Sequence, residues 1–130
     1  MFHLGQMLTY RPAHPAGYVL IESAQDNAPA EVAALLAELA EDPDVLPGAT
    51  VLVDVRDAAS AWTTSQVNLI VPAFRALARR GVAAIAIVAD VDVAYGMSRM
   101  LSTRLDGLGL AAAVFRSSAE AEDWLDRRTS

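Results

Sequence analysis

Residues 51–67 read VLVDVRDAASAWTTSQV, an apolar run that leads into charged residues, a Trp and three consecutive hydroxyl side chains. The apolar, β-branched character of residues 50–55 predicts a strand. Thr63 and Gln66 stand three positions apart, which is the spacing of a capping box. The stretch therefore predicts a strand that is followed by a helix beginning at about Thr64.

The three hydroxyl side chains support two interpretations. In the first, Thr63 caps the helix, and Thr64 and Ser65 complete its first turn. In the second, Thr64 or Ser65 is phosphorylated, because a phosphate is electrostatically favourable at a helix N-terminus and would change the surface that a partner meets.

The helix after Thr63 is predicted to end before Gly81, with three arginines in its last two turns, where they suit the helix dipole. Pro72 lies two turns inside it and lacks the N–H that the helix needs there. Either the helix bends at Pro72, or its regular part begins near Val71 with Pro72 in the first turn.

Hydrophobic patterning predicts the elements on either side of this stretch. The predicted strands lie before about Tyr10 and at 18–23, 50–55, 82–89 and 111–115. The other predicted helices are one capped by Asn27 and stopped near Pro43, one over about 93–106, and one opened by the capping box of Ser117 and Glu120 that buries Ala121, Trp124 and Leu125. The order β-β-α-β-α-β-α-β-α predicts a mostly parallel sheet with right-handed crossovers and an N-terminal hairpin strand.

The composition excludes several classes of function. The chain has 130 residues, of which 54% are hydrophobic, and this predicts a single domain over residues 1–130. The net charge of −6 argues against non-specific nucleic-acid binding, which needs clustered Lys or Arg. Without cysteine there is no disulfide or zinc–thiolate site, and without lysine no Schiff base or P-loop. We expect a cytoplasmic protein, since no membrane span or secretory signal is evident.

Candidate binding residues follow two of the predicted strands. Ligands of open α/β sheets collect beyond the carboxyl ends of the strands, so side chains that follow two neighbouring strands share one rim. The candidates for a small apolar or anionic ligand at this rim are Asp54, Arg56, Trp62, Tyr95 and Arg99.

Acidic residues at the same rim raise the question of a metal site. Asp54, Asp90 and Asp92 offer the carboxylate oxygens that Mg²⁺ prefers. Aspartates at strand ends more often cap loops and helices, so we expect no metal and no other cofactor. Arg99 is expected to form a salt bridge with Asp90 or Asp92, or to bind an anion.

No complete set of catalytic groups is visible. His3 and His14 belong to no recognisable Ser/His/Asp arrangement, and the chain has no Gly-x-Ser-x-Gly elbow. Gly96 stands alone, whereas a dinucleotide fingerprint needs three glycines at fixed spacing. The sequence therefore predicts a protein without enzymatic activity.

The element order and several segments together resemble the STAS family, the sulphate transporter and anti-sigma-factor antagonist domains. The segments are VLVDVRDA followed by AWTTSQV, then VAAIAIVAD, AYGMSRM and AAAVFRSSAEAEDWL. From about Tyr18 onward the chain is similar to the small bacterial SpoIIAA-like proteins, often grouped with the Sec14 lipid-binding fold. The resemblance implies an α/β sandwich with a central sheet of about five strands, four helices and no enzymatic activity of its own.

The resemblance also implies a regulatory hydroxyl. In the regulatory branch of the family, an Asp-Ser-Ser-Gly motif at the start of this helix carries a serine that a partner kinase phosphorylates, which breaks binding to that kinase or anti-sigma factor. The two serines fall on Thr63 and Thr64, the aspartate falls on Trp62 and the glycine on Ser65. The hydroxyls are thus present, whereas both flanking residues differ from the motif.

Two functions follow as expectations. One is a binding module that holds a small molecule or lipid at the strand ends. The other is a protein-interaction switch, with an anti-sigma factor or kinase as partner, that is controlled by phosphorylation at Thr64 or Thr63. Small α/β modules of this kind often pair, so a homodimer is a further expectation, although the sequence identifies no interface.

Overall fold

The computed structural model describes residues 3–4, 8–11, 18–23, 29–55, 63–89 and 92–129. Over these residues the chain forms six strands and four helices. The strands are β1 (His3–Leu4), β2 (Leu8–Arg11), β3 (Val19–Ser23), β4 (Thr50–Asp54), β5 (Ala84–Val88) and β6 (Ala111–Phe115). The helices are α1 (Pro29–Glu41), α2 (Thr64–Arg80), α3 (Asp92–Asp106) and α4 (Ser118–Thr129). Asn27, the predicted helix cap, and His14 lie outside the described residues.

The strands form one sheet in which each strand lies beside its neighbour along the chain, in the order β1-β2-β3-β4-β5-β6. The pairs β1–β2 and β2–β3 are antiparallel, and the remaining pairs are parallel. The predicted α/β class with a mostly parallel sheet is therefore confirmed. The sheet has six strands where about five were expected, because β1 has two residues and is too short to leave a hydrophobic period in the sequence.

The helices are divided unequally between the two faces of the sheet. Successive right-handed crossovers that advance across a sheet in one direction place their helices on one face. Accordingly α1, α2 and α3 share one core with alternate strand residues such as Val51 and Ile85. α4 packs on the opposite face, where Leu125 shares a second core with Leu52 and Ala86. We call these the three-helix face and the α4 face.

β5 is buried along its whole length, as its unbroken apolar sequence predicted. All five of its residues are buried. On the α4 face it presents Ala84 and Ala86, whose small side chains let the helix approach the sheet closely, whereas Ile85 and Ile87 fill the core of the three-helix face. Burial of one such large aliphatic side chain stabilises the fold by about 1.5–3 kcal/mol.

α4 is docked by residues that the sequence identified, with one difference. Ala121 and Leu125 are buried as predicted, but Trp124 is only half-buried. Its ring packs against that of Phe115 with 5.7 Å between centroids. The guanidinium carbon of Arg128 lies 4.7 Å from the Trp124 ring centroid and covers the indole from outside.

α2 is a single helix that begins at Thr64 and contains Pro72. Pro72 lies on the exposed side of the helix, where water can solvate the Asn68 carbonyl group that loses its N–H partner. The opposite side of the helix is buried through Val67, Ile70, Phe74 and Leu77. This stripe explains why the helix continues through a proline, because tertiary packing holds both of its halves against the sheet.

Gly81 ends α2 in the left-handed conformation, with φ 99° and ψ 14°. Its N–H donates to the Ala78 carbonyl group at 3.1 Å, and the Val82 N–H donates to that of Leu77 at 3.1 Å. A Cβ atom at Gly81 would lie only 3.2 Å from Cα of Pro47. The position therefore requires glycine both for its backbone conformation and for space.

Candidate functional site

The start of α2 is held by a complete capping box. The Gln66 N–H donates to Oγ1 of Thr63 at 3.3 Å, and the Thr63 N–H donates to Oε1 of Gln66 at 2.8 Å. Thr63 has the extended backbone of an N-cap residue, with φ −76° and ψ 166°. The prediction that Thr63 caps this helix is confirmed, and its hydroxyl is engaged in the fold.

The hydroxyls of Thr64 and Ser65 differ from that of Thr63, since both residues lie in the first turn of α2 and are exposed. They open a continuous exposed side of the helix, opposite its buried stripe. We call this side the α2 surface; it consists of Thr64, Ser65, Asn68, Leu69 and Pro72. Leu69 is 67% exposed, which is unusual for so large an apolar side chain in a helix with a well-formed buried stripe.

The charge of α2 is opposite to that of the chain. No charged residue occurs between Thr63 and Ala73. The last two turns carry Arg75, Arg79 and Arg80 and no acid, in a chain with a net charge of −6. The helix thus presents an uncharged, partly apolar half that is bordered by exposed arginines, at Arg75 and Arg79.

Asp54, the first candidate at the strand ends, lies on the α4 face. It pairs in register with Glu22 of β3 and alternates with Leu52, which belongs to the α4-face core. Near it, the Tyr18 hydroxyl donates a hydrogen bond of 2.7 Å to Oε2 of Glu122. Asp54 is therefore part of an acidic neighbourhood around Tyr18.

The fold shifts the protonation equilibrium of Tyr18. Burial of the phenol raises the pKa of Tyr18 far above its ordinary value, and the hydrogen bond to Glu122 raises it further. The negative charges of Glu122, Asp54 and Glu22 act in the same direction. No sequence signal links Tyr18 with Glu122, because 104 positions separate them.

The layering of the helices decides where a crevice forms at the strand ends. A crevice opens between neighbouring strands whose following helices leave to opposite faces. The helices that follow β4 and β5 both pack on the three-helix face. The helices that follow β5 and β6 diverge, since α3 packs on the three-helix face and α4 on the α4 face. The sequence predicted a ligand rim at the ends of β4 and β5, whereas the helices diverge at the ends of β5 and β6.

The remaining candidates at the rim are described only in part. Arg56, Trp62 and Asp90 lie outside the described residues. Tyr95 and Asp92 belong to α3, but their side chains are not among those described. Arg99 is exposed on α3, and its carbonyl group accepts hydrogen bonds from Ser102 and Thr103. The predicted ligand rim and the predicted salt bridge of Arg99 stay predictions.

Two classes of feature are not found in the described part of the chain. Within it, no group of three or more His, Asp or Glu residues is arranged to hold a metal ion. Among the described helices, none combines the length and apolar character needed to cross a bilayer.

Comparison with known proteins identifies the architecture. No protein-family model matches the chain, and no curated protein matches it. A solved structure to which it is similar is that of an uncharacterized protein from the DUF3478 family of Shewanella loihica PV-4, described as having a SpoIIAA-like fold. The two structures match with a TM-score of 0.59, covering 91% of each chain at 12% sequence identity. At this identity the similarity is one of fold, and the expected architecture is confirmed: the chain has a SpoIIAA-like α/β fold.

Proposed function

We propose that this chain is a non-enzymatic cytoplasmic module that binds a protein partner through the α2 surface, with the Thr64 hydroxyl as the point of control. The observation that carries the proposal is the 67% exposure of Leu69 in the middle of an uncharged helix surface. Pro72 is exposed three positions further along the same side of the helix, so Leu69 is part of an apolar patch, and such a patch with polar neighbours and a charged border is typical of a protein-binding site.

The border of the α2 surface suggests the chemistry of the partner. Arg75 and Arg79 are exposed at the far end of the helix, and the helix carries no acid. A partner with an apolar patch beside carboxylates would bury Leu69 and meet these arginines. The partner that fits is a folded protein with an acidic rim.

The two hydroxyls differ in their suitability for control. Thr63 already accepts the Gln66 N–H, so a phosphate on Thr63 would have to replace the cap. Thr64 is exposed beside unpaired N–H groups of the first turn, where a phosphate is electrostatically favourable. Phosphorylation of Thr64 would add about −1.5 to −2 charges to an uncharged surface and thereby change which partner fits.

The proposal is tested by capture of partners with two matched leucine variants. Leu69→Arg places a charge in the α2 surface. Leu46→Arg is its control, because Leu46 is 66% exposed but lies in the loop before β4. We expect partners that the wild type retains from its source cells to be lost by Leu69→Arg and kept by Leu46→Arg.

The role of Thr64 is tested in the same capture experiment. Thr64→Glu should lose partners that the wild type and Thr64→Ala retain, because only the first substitution adds charge at the helix start. An identical set of partners for the wild type, Leu69→Arg and Thr64→Glu would contradict the proposal.

A further inference from the structure

The outer edge of the sheet at β6 is unlike an ordinary solvent-exposed edge. In the described part of the sheet, β6 pairs with β5 on one side only. Its residues, Ala111–Phe115, are all apolar, and each of them is half-buried. An edge strand without charge or proline is a template for the addition of another strand.

The direction of the main-chain groups of β6 follows from one hydrogen bond. The Ala89 N–H donates to the Phe115 carbonyl group at 2.9 Å, so the main-chain groups of Phe115 point toward β5. Successive residues of a strand direct their N–H and C=O groups to alternate sides. Ala113 therefore faces β5 as well, whereas Ala112 and Val114 direct their main-chain groups away from the sheet.

One of these outward groups is bound by a side chain. The carboxylate Oδ1 of Asp106, the last residue of α3, accepts the Ala112 N–H at 3.3 Å. This oxygen stands where the carbonyl group of an added strand would stand. Asp106 itself is exposed, so its carboxylate can leave this position without an internal rearrangement.

We propose that β6 is a strand-addition surface and that its occupant is β6 of a second copy of this chain, in antiparallel orientation. A two-fold axis at Ala113 places Ala112 opposite Val114 of the second copy, and Val114 opposite Ala112 of the second copy. Because both residues direct their main-chain groups outward, each pair exchanges both of its hydrogen bonds. The two sheets become one continuous sheet.

The charges beside β6 favour a second copy over an unrelated strand. In this register, Arg116 of the second copy lies opposite Leu110, at the end of β6 where Asp106 reaches Ala112. The carboxylate that the incoming strand displaces therefore meets a guanidinium group. Symmetry repeats this contact at the other end of the pair, so the association has two Asp106–Arg116 contacts.

The test measures the dimer dissociation constant of the full chain by analytical ultracentrifugation over a concentration series. We expect a concentration-dependent dimer for the wild type. Arg116→Asp should weaken it at least tenfold, because two attractive contacts with Asp106 become repulsive. Exchange of the charges in the double variant Asp106→Arg/Arg116→Asp should restore it.

A second variant tests the strand pairing itself. Val114→Pro deletes an N–H that points out of the sheet, so no hydrogen bond within one copy is lost, and dimerisation should be abolished. Because Val114 also packs against the core of the three-helix face, Val114→Ala is the matched control; it loses the same packing, keeps the N–H and should keep the dimer. Leu69→Arg should leave the dimer unchanged, which separates this inference from the proposed function. A wild type that stays monomeric, a dimer that survives both Val114→Pro and Arg116→Asp, or a dimer that Leu69→Arg abolishes would each overturn the inference.

Discussion

The hydrogen bond between Tyr18 and Glu122 should stabilise the folded chain at neutral pH. Tyr18→Phe removes the hydroxyl that donates to Glu122 at 2.7 Å and keeps the ring, which is 8% exposed in the α4-face core. A hydrogen bond to a charged acceptor contributes about 1.5–3 kcal/mol. Glu122 is only half-buried and regains water, so we expect a loss of unfolding free energy at or below the lower limit of that range, about 1–1.5 kcal/mol.

This stabilisation should decrease at alkaline pH, where few other side chains of the chain titrate. The chain has no lysine and no cysteine, so its three tyrosines are the side chains that titrate between about pH 9 and 12. Burial, followed by the hydrogen bond to Glu122, raises the pKa of Tyr18 above its ordinary value. Above about pH 10 the unfolded chain therefore releases a proton that the folded chain keeps.

The Tyr18 hydroxyl stabilises the folded chain only while it is protonated. The stabilisation by the Tyr18 hydroxyl is complete below about pH 10, which is the pKa of the unfolded state, and is lost as the pH rises toward the folded-state pKa. The loss approaches about 1.4 kcal/mol for each pH unit. The wild type should therefore lose its advantage over Tyr18→Phe within roughly one pH unit above pH 10.

Urea denaturation of both proteins at a series of pH values measures the difference in free energy of unfolding. Tyr10 and Tyr95 are present in both proteins, so their titration cancels in that difference. A difference that stays constant up to about pH 11.5 would refute the reasoning, because it would mean that folding does not hold the Tyr18 proton. A variant that is more stable than the wild type at neutral pH would refute it as well.

Three further predictions concern the caps, the glycines and the predicted ligand rim. Thr63→Ala should lower the free energy of unfolding by about 1 kcal/mol, and Thr64→Ala by less than about 0.5 kcal/mol. The two differ because the Thr63 side chain accepts an N–H of the first turn. Equal losses in chemical denaturation would contradict this. Gly81→Ala should lower the free energy of unfolding by about 1–3 kcal/mol, since the φ of Gly81 is 99°. Gly96→Ala should be neutral or stabilising, because nothing lies within 4 Å of the added Cβ. Thermal unfolding of both variants checks this. A ligand at the rim should raise the melting temperature of the wild type but not of Trp62→Ala in a lipid and metabolite panel, and a panel without any shift would remove support for the rim.

The sequence predicted the features that depend on neighbours along the chain. The capping box of Thr63 and Gln66 depends on three-residue spacing, and the burial of β5 follows from an unbroken apolar run. The α/β class follows from the alternation of strands and helices. Each of these signals is local, so the sequence carries it directly.

The features that the sequence missed depend on contacts between distant segments. The bond from Tyr18 to Glu122 has no local pattern, and the two-residue strand β1 is too short to show one. The exposure of Leu69 is hidden for a different reason, since a leucine in an apolar helix gives no indication of which side meets solvent until the buried stripe is known. Which strands are followed by helices on opposite faces is likewise shown only by the core that each helix joins.

The sequential order of the strands has a consequence for how the chain reaches this structure. Each parallel pair closes a loop that contains only one helix, so the sheet can grow one strand at a time with modest loss of chain entropy. The docking of α4 against Tyr18 instead joins residues 104 positions apart. Since each doubling of a loop adds roughly 0.6 kcal/mol to its closure, this contact is favoured only once the intervening strands have shortened the path between its ends. We therefore expect the α4 face to close last, and its contacts to affect the rate of unfolding more than the rate of folding.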